Sequence, residues 1–334
     1  MSSYNQKAIK DALKAFGKQN VLVIGDVMID SYTWGNVNRI SPEAPVPIVS
    51  ITTKEDRLGG AANVALNVQA LGAKPILCSV IGNDNNGEKF VKLLKEQKLL
   101  TSGIIKSKKR ITTVKTRIIA GNNQMLRIDE EIDSSLLKED EASLLKRIKS
   151  IINAKNISAI IFEDYDKGVL TASLIKTVVA IANKKNIPTI VDPKKNNFFD
   201  YAGVTLFKPN LKELKEGLKA DFNHKSNAVL KRVAADFIKK QKINTLLLTL
   251  SERGVFYHSK NLSKVVPAHI RNISDVSGAG DTVVSVAALC IAVGLSPTLT
   301  ATLANLAGGL VCEKVGVVPI DKTLLLEEAI QLDI

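Results

Sequence analysis

The sequence predicts an α/β protein: a doubly wound, mostly parallel sheet flanked by helices, with a small lid of β-strands. Three observations lead there. From Val21 onward, short continuous apolar runs alternate with helix-length segments, as buried parallel strands joined by crossover helices do. Hydrophobic residues fill 45% of the 334 positions while aromatics fill 4%, so the core is Val, Ile, Leu and Ala. Two segments, about 31–58 and 110–130, then break the alternation with short strands. These are the expected lid, inserted into a single domain spanning 1–334.

Met1 to Asn20 reads as a polar, amphipathic helix without the apolar centre of a signal peptide. Val21-Leu-Val-Ile-Gly25 is a buried parallel strand ending in Gly25-Asp26, with Asp30 close behind. Ligands of open α/β sheets gather just past such strand ends, although turn and cap chemistry accounts for either aspartate equally well. Ser41-Pro-Glu-Ala-Pro-Val-Pro47 cannot be helix, because proline removes donors and restricts its neighbours. Ile48 to Thr53 alternates as a half-wet strand does. Thr112–Ile118 and Met125–Asp129 flank the turn Gly121-Asn122-Asn123 as a hairpin, with Trp34 a packing anchor for the lid. Gly59-Gly60-Ala61-Ala62-Asn63 opens a helix over Val64–Leu71. Two glycines there permit close backbone approach, and Asn63 can donate to or accept from a hydroxyl.

The series continues with a strand at Pro75–Ile81, helices at 87–98 and 136–153, a strand at Ala159–Phe162 and a helix at 171–184. Strands at Thr189–Val191 and Leu206–Phe207, helices at 211–217 and 226–240, strands at Thr245–Leu250 and Gly254–Tyr257, and C-terminal helices complete it. No internal repeat, low-complexity tract or long linker interrupts it.

Lys and Arg number 46 against 33 Asp and Glu, a net charge of +13. The basic residues are scattered over helical faces, and the densest group (Lys106, Lys108, Lys109, Arg110) is short and lacks interleaved aromatics. That pattern is a solvated surface and argues against nucleic acid as a partner. The three cysteines, Cys78, Cys290 and Cys312, lie in apolar runs without Cys-x-x-Cys spacing, and the three histidines show no metal-ligand spacing. No apolar run reaches the roughly 20 residues of a bilayer span. Reduced thiols and a cytoplasmic location are expected.

The chemistry centres on Asp275-Val276-Ser277-Gly278-Ala279-Gly280-Asp281-Thr282, which runs into the apolar helix Val283 to Val293. Small residues let the backbone turn tightly, and the first helical turn adds unpaired N–H donors and the positive end of its dipole, together an anion site. Asp281 at its lip could take a proton from an attacking hydroxyl. A favourable acid in a helix's first turn explains the same residue without chemistry. Asn210 and Glu213 similarly read either as a capping box or as a pair facing a metal–phosphate group.

The order Gly25-Asp26…Asp30, Gly59-Gly60…Asn63, Asn210-x-x-Glu213 and Asp275-x-x-Gly-Ala-Gly-Asp281 resembles the ribokinase/phosphofructokinase-B carbohydrate kinases along essentially the whole chain. Gly-Asp-Val-Met-Ile-Asp-x-Tyr-x-x-Gly, Arg39-Ile-Ser-Pro-Glu-Ala-Pro-Val-Pro47, Arg127-Ile-Asp129, Asp164-Tyr-x-Lys-Gly168 and Asp192-Pro-Lys194 are similar to the branch acting on D-glycero-β-D-manno-heptose 7-phosphate, on the route to ADP-heptose and lipopolysaccharide. The resemblance implies a ribokinase-like fold and an ATP-dependent kinase. It implies Asp281 as base, with Gly278, Ala279 and Gly280 as anion hole. Asp30, Gly59, Gly60 and Asn63 would hold the sugar, and Lys194, Thr249, Gly254 and Asn305 the ATP. Asn210 and Glu213 would order Mg²⁺ through water, and a monovalent cation such as K⁺ can accompany it. A phosphorylated acceptor needs a cationic cradle, for which Arg39, Arg117, Arg127 and Lys167 are candidates by lid or strand-end position. The exposed lid edges suit a homodimer. Gly-Gly-Ala-Ala-Asn is one residue shorter than in many ribokinases, a form the heptose branch shares. Many heptose kinases are fused to a nucleotidyltransferase; with the sequence stopping at Ile334, adenylyl transfer is expected from a separate chain. Another sugar, sugar phosphate or nucleoside as acceptor, or a binding protein without catalysis, are the alternatives.

Overall fold

Alternate residues of the central strands face opposite helical layers. Val21 and Val23 join one buried cluster, Leu22 and Ile24 the other; Ile161 and Leu247 lie with the first, Phe162 and Leu248 with the second. A period of two with both faces apolar is what a sheet covered on each side demands. The computed structural model describes residues 2–121, 123–269 and 271–332, with the side chains of 2–5 left aside. Asn122, at the centre of the expected hairpin turn, and Met1, at the start of the expected N-terminal helix, lie outside the described residues.

The strands are β1 (Asn20–Gly25), β2 (Val27–Ile40), β3 (Pro47–Gly60), β4 (Lys74–Gly82), β5 (Ile104–Ser107), β6 (Val114–Ala120), β7 (Asn123–Glu130), β8 (Ala159–Glu163), β9 (Thr189–Asp192), β10 (Leu206–Phe207), β11 (Thr245–Thr249), β12 (Val255–Ser259) and β13 (Ser263–Val266). The helices are α1 (Ser2–Phe16), α2 (Ala61–Ala70), α3 (Asn85–Glu96), α4 (Lys138–Ala154), α5 (Ala172–Lys184), α6 (Leu211–Leu218), α7 (Asn227–Gln241), α8 (Ala279–Ala292), α9 (Pro297–Val311) and α10 (Lys322–Gln331).

The main sheet has nine strands in the order β13-β12-β11-β10-β9-β8-β1-β4-β5. It is parallel except at β12 and β13. Residues of α1, α2, α8, α9 and α10 pack on one face and those of α4, α5 and α7 on the other. A second sheet of four strands, ordered β3-β2-β6-β7, is the expected lid. β2 joins its two parts by pairing antiparallel with β3 and parallel with β6.

Several elements differ from the sequence reading. β2 is one strand of 14 residues beginning at Val27, and β3 runs past Thr53 to Gly60. Their mutual ladder overrides the mixed polar pattern of both segments. β5 and β13 are four-residue strands at the sheet's edges, too short to show a period. α2 and α8 each begin earlier than their apolar runs, at Ala61 and Ala279, which places Asn63 and Asp281 inside the first helical turn.

Candidate active site

The ends of β8, β9, β10 and β11, all at the carboxyl end of the parallel strands, converge on the start of α8. Gly278 caps this helix at φ +80°, a left-handed turn that glycine makes at least cost. The helix leaves the amides of Gly280 and Asp281 without an intrahelical acceptor. A Cβ on Gly280 would stand 3.2 Å from Asp192 and 3.5 Å from Lys208, and one on Gly278 would stand 3.1 Å from Asn63 Nδ2. The expected anion loop therefore lies directly against polar side chains from three other elements.

Asp281 is buried. Asn63 Nδ2 donates to its Oδ2 at 2.6 Å, and the Tyr165 hydroxyl donates to its Oδ1 at 2.9 Å. Burial raises its pKa to about 6, with Asp192 adding to the rise and the bonds from Asn63 and Tyr165 opposing it. Tyr165 is held neutral by burial and by Asp281 itself, so it remains a donor. A carboxylate that titrates near neutrality, with two fixed donors, is a usable proton acceptor.

Asp26 explains how Tyr165 gets there. Its carboxylate accepts from the backbone N–H of Tyr165 at 2.8 Å, Lys167 at 3.1 Å and Val169 at 3.0 Å. It thereby shapes the 164–169 loop, and of its two sequence-level readings the turn-forming one describes its contacts. Burial, and then Asp164, lift its pKa to about 6 in spite of those donors.

Asp30 faces the other side of the site. Arg117 Nη1 meets its Oδ1 at 2.6 Å. A Cβ on Gly59 would fall 2.1 Å from Asp30 Oδ2, and one on Gly60 (φ +60°) would fall 2.4 Å from the Asp26 carbonyl oxygen. The paired glycines thus admit Asp30 and the β1–β2 turn. Tyr32 stacks on Trp34, with ring centroids 5.5 Å apart, and carries the guanidinium carbons of Arg57 at 4.9 Å and Arg117 at 5.3 Å from its ring.

Of the four expected cradle residues, Arg117 reaches Asp30 and Tyr32, and Arg127 stands opposite it in the β6–β7 register. Arg127 pairs with Asp129 at 2.9 Å, Lys167 with Glu131 at 2.7 Å, and Arg39 is exposed near the far end of β2. Arg57 was not singled out from the sequence. It stands opposite Asp30 in the β2–β3 register, a relation visible only once both strands are known to be long.

Thr249, Gly254, Ala279, Gly280 and Asn305 line one cavity of about 660 Å³, together with His269 and Arg271. The residues expected for nucleotide and for anion therefore share a wall. Asn305 Nδ2 donates to the Pro267 carbonyl at 2.8 Å. Lys194 does not line the cavity; its ammonium contacts the Glu213 carboxylate and lies 5.4 Å from the Tyr165 ring centre. Asn210 and Glu213 form the capping box of α6, with bonds of 2.8 and 2.7 Å. Their oxygens are the hard donors that Mg²⁺ prefers. Both Glu213 oxygens are already engaged, which fits a metal held through water better than direct ligation.

Sequence reasoning also passed over Lys208, Glu163 and the carboxylate of Asp192. Lys208 is buried and pairs with Asp192 at 2.8 Å. A lysine that abuts the apolar strand Leu206–Phe207 was the available signal, since a buried charge requires a partner.

Residues 18–323 match the profile of the pfkB family carbohydrate kinases. The chain is 41% identical over 307 residues to the bifunctional protein HldE of Sulfurimonas denitrificans, which covers 91% of this chain and 62% of that protein. It is also 41% identical over 306 residues to the bifunctional protein HldE of Campylobacter jejuni subsp. doylei, covering 91% and 63%. The chain thus spans less than two thirds of the curated relatives it matches. Among solved structures it superposes on phosphofructokinase-2 from Escherichia coli in complex with potassium with a TM-score of 0.77 at 18% identity, covering 94% of this chain and 99% of that one. It superposes on Arabidopsis thaliana ribokinase complexed with ribose and ATP with a TM-score of 0.71 at 16% identity, covering 92% and 99%. These two likenesses establish the fold.

Proposed function

The chain belongs to the pfkB family of carbohydrate kinases, and from that premise we propose that it transfers the γ-phosphoryl group of ATP to the anomeric hydroxyl of D-glycero-β-D-manno-heptose 7-phosphate. The product is the 1,7-bisphosphate. The observation that carries the reading is Asp281, a buried carboxylate whose pKa stands at about 6, held by Asn63 and Tyr165 at the amino end of α8. It takes the proton of the acceptor hydroxyl as that oxygen attacks phosphorus. The amides of Gly278 and Gly280 stabilise the charge that develops on the transferring group; the expected third donor, the Ala279 N–H, is turned to the Val276 carbonyl at 3.3 Å. Asp30, Gly59, Gly60 and Asn63 hold the sugar. Lys194, Thr249, Gly254 and Asn305 serve the nucleotide, Lys194 by way of Glu213.

Asn210 and Glu213 would hold Mg²⁺ through water. Bound there, the ion supplies charge neutralisation between the phosphates. A monovalent cation is a further proposed requirement, checked by comparing K⁺ with Na⁺. We place the acceptor's phosphate against Arg117 and Arg57, whose guanidinium groups both flank Tyr32. Preference for the heptose is supported by the motifs of that branch and by about 40% identity to the HldE proteins over nine tenths of the chain. We further propose a homodimer paired through the small sheet.

The deciding experiment is ADP release with Mg-ATP and heptose 7-phosphate, fructose 6-phosphate, ribose or adenosine in parallel. A preference for the heptose of about a hundredfold in kcat/KM, worth about 2.7 kcal/mol, is expected. Equal or better turnover of another acceptor keeps the chemistry and discards the substrate.

A further inference from the structure

Glu163 ends β8, where the strand otherwise reads Ala-Ile-Ile-Phe, and it is 1% exposed. It, Asp192 and Asp281 each bring a carboxyl oxygen within 4.8 Å of the other two. Lys208 is bonded into this group, and it goes to Asp192. Asp281 receives its donors from Asn63 and Tyr165. Glu163 Oε2 and Asp192 Oδ1 are buried and find no donor among the described residues. An ionised carboxylate only accepts hydrogen bonds, whereas a protonated one also donates. Two buried acceptors without a donor are therefore short of a hydrogen. Crowded carboxyl groups that are buried do not all ionise.

We propose that Glu163 acts as a neutral carboxylic acid, carrying the one proton of this three-carboxyl cluster so that Asp281 can be its ionised, proton-accepting member. The proposal rests on the reading of Asp281 as the base. Glu163 is then a positioning residue. With Lys208 balancing Asp192, the net charge left in the cluster belongs to Asp281, and an incoming anionic phosphoryl group meets one negative charge where it would otherwise meet two. The groups facing Glu163 are Asp192 from β9, Asp281 from α8, Lys208 beyond β10, Lys194 beyond β9 and Tyr165 on its own loop. Burial first, then Asp192 and Asp281, push its carboxyl well above the usual carboxylate range, against Lys208 and Lys194.

The test compares pH–rate profiles of the full chain, wild type and Glu163→Gln, with infrared spectra of the metal-free proteins. Gln has the shape of the neutral acid. We expect its kcat at about pH 8 to stay within about threefold of wild type. The acid limb, which reports Asp281, should stay in place, because no neighbouring charge has been removed. The wild-type spectrum at that pH should carry a carboxylic-acid C=O band that Glu163→Gln lacks. An acid limb that moves down by about one pH unit or more means Glu163 was charged and overturns the proposal. So does a tenfold or greater loss of kcat, or the absence of the band. A band that vanishes on adding Mg²⁺ without nucleotide puts a cation where the proton is assigned and overturns the proposal as well. If Glu163→Gln does not fold, Glu163→Ala tests the same acid limb and the same band. Near-normal turnover in Asp281→Asn sinks the base reading instead, and the infrared band still decides whether Glu163 is neutral.

Discussion

Asn63 and Asp281 stand 218 positions apart in the chain and meet at 2.6 Å. The amide comes from the first turn of α2 and the carboxylate from the first turn of α8, and both are buried. Asn63 stabilises the ionised form of Asp281. A hydrogen bond to a charged group contributes about 1.5–3 kcal/mol, so Asn63→Ala should raise the pKa of Asp281 by about one to two units. Turnover near pH 6 then suffers more than turnover near pH 8. An acid limb of the pH–rate profile that stays in place would show that the amide does not tune the base.

Asp281→Asn should lower kcat by roughly a hundredfold or more, and it should also stabilise the protein. The folded pKa of about 6 lies above the ordinary 3.8. Ionising Asp281 therefore costs folding stability, a cost absent below about pH 4 and complete above about pH 6. At pH 8 the variant is expected to gain up to about 3 kcal/mol. The gain should disappear at pH 4. Urea titrations at the two pH values check it, and equal stability at both would contradict the buried charge.

Arg117 and Asp30 form a largely buried pair, with side chains 17% and 5% exposed. Arg117→Ala leaves that carboxylate uncompensated and should raise KM for a phosphorylated acceptor at least about tenfold, with a smaller effect on kcat. Lysine should not restore it, because an ammonium cannot both pair with Asp30 and lie over Tyr32 as a guanidinium does. Arg39→Ala and Arg127→Ala should leave KM near the wild-type value. The reverse ranking would move the phosphate site to the outer end of the small sheet.

Lys208→Met removes the cation bonded to Asp192 deep in the core. Breaking one side of a buried pair costs about 3–5 kcal/mol. The double variant Asp192→Asn/Lys208→Met should lose less than the single. A single-variant cost below about 1 kcal/mol would show the pair to be unimportant for folding.

Leu126 and Ile128 on the edge strand β7, and Ile51 on β3, are 54%, 45% and 55% exposed. Leu126→Glu should convert a dimer to a monomer in sedimentation velocity without unfolding it. A wild-type chain that is already monomeric at micromolar concentration would dispose of the lid-paired dimer.

The central parallel strands were legible because their neighbours impose a rule that needs no knowledge of partners: covered on both faces, they must be almost wholly apolar. Asp281 and Asn63 were legible through small-residue turns next to helix starts. Tyr165 and Lys208 were obscure for the opposite reason. Each owes its place to a partner more than 15 positions away, on a separate segment, and Arg57, which bonds Glu55 on its own strand at 2.6 Å, faces Asp30 only through the β2–β3 register. The expected cradle shows the cost. Arg127 lies on the lid strand β7 and Lys167 on the loop after β8, both paired with carboxylates, and only position relative to Asp30 and Tyr32, set by the β2–β3 and β2–β6 registers, distinguishes Arg57 and Arg117 from them.

The interval between α2 and α8 also bears on how the chain is made. Ribosomes add about 5–20 residues per second, so the 218 positions separating Asn63 from Asp281 take roughly 10–45 s to appear. During that time one apolar face of β8 and β9 lacks the helix that covers it, and a polar amide waits inside a half-built core. Newly emerging chains are thus exposed to aggregation until α8 has emerged, and demand on chaperones should track translation speed across residues 63–292.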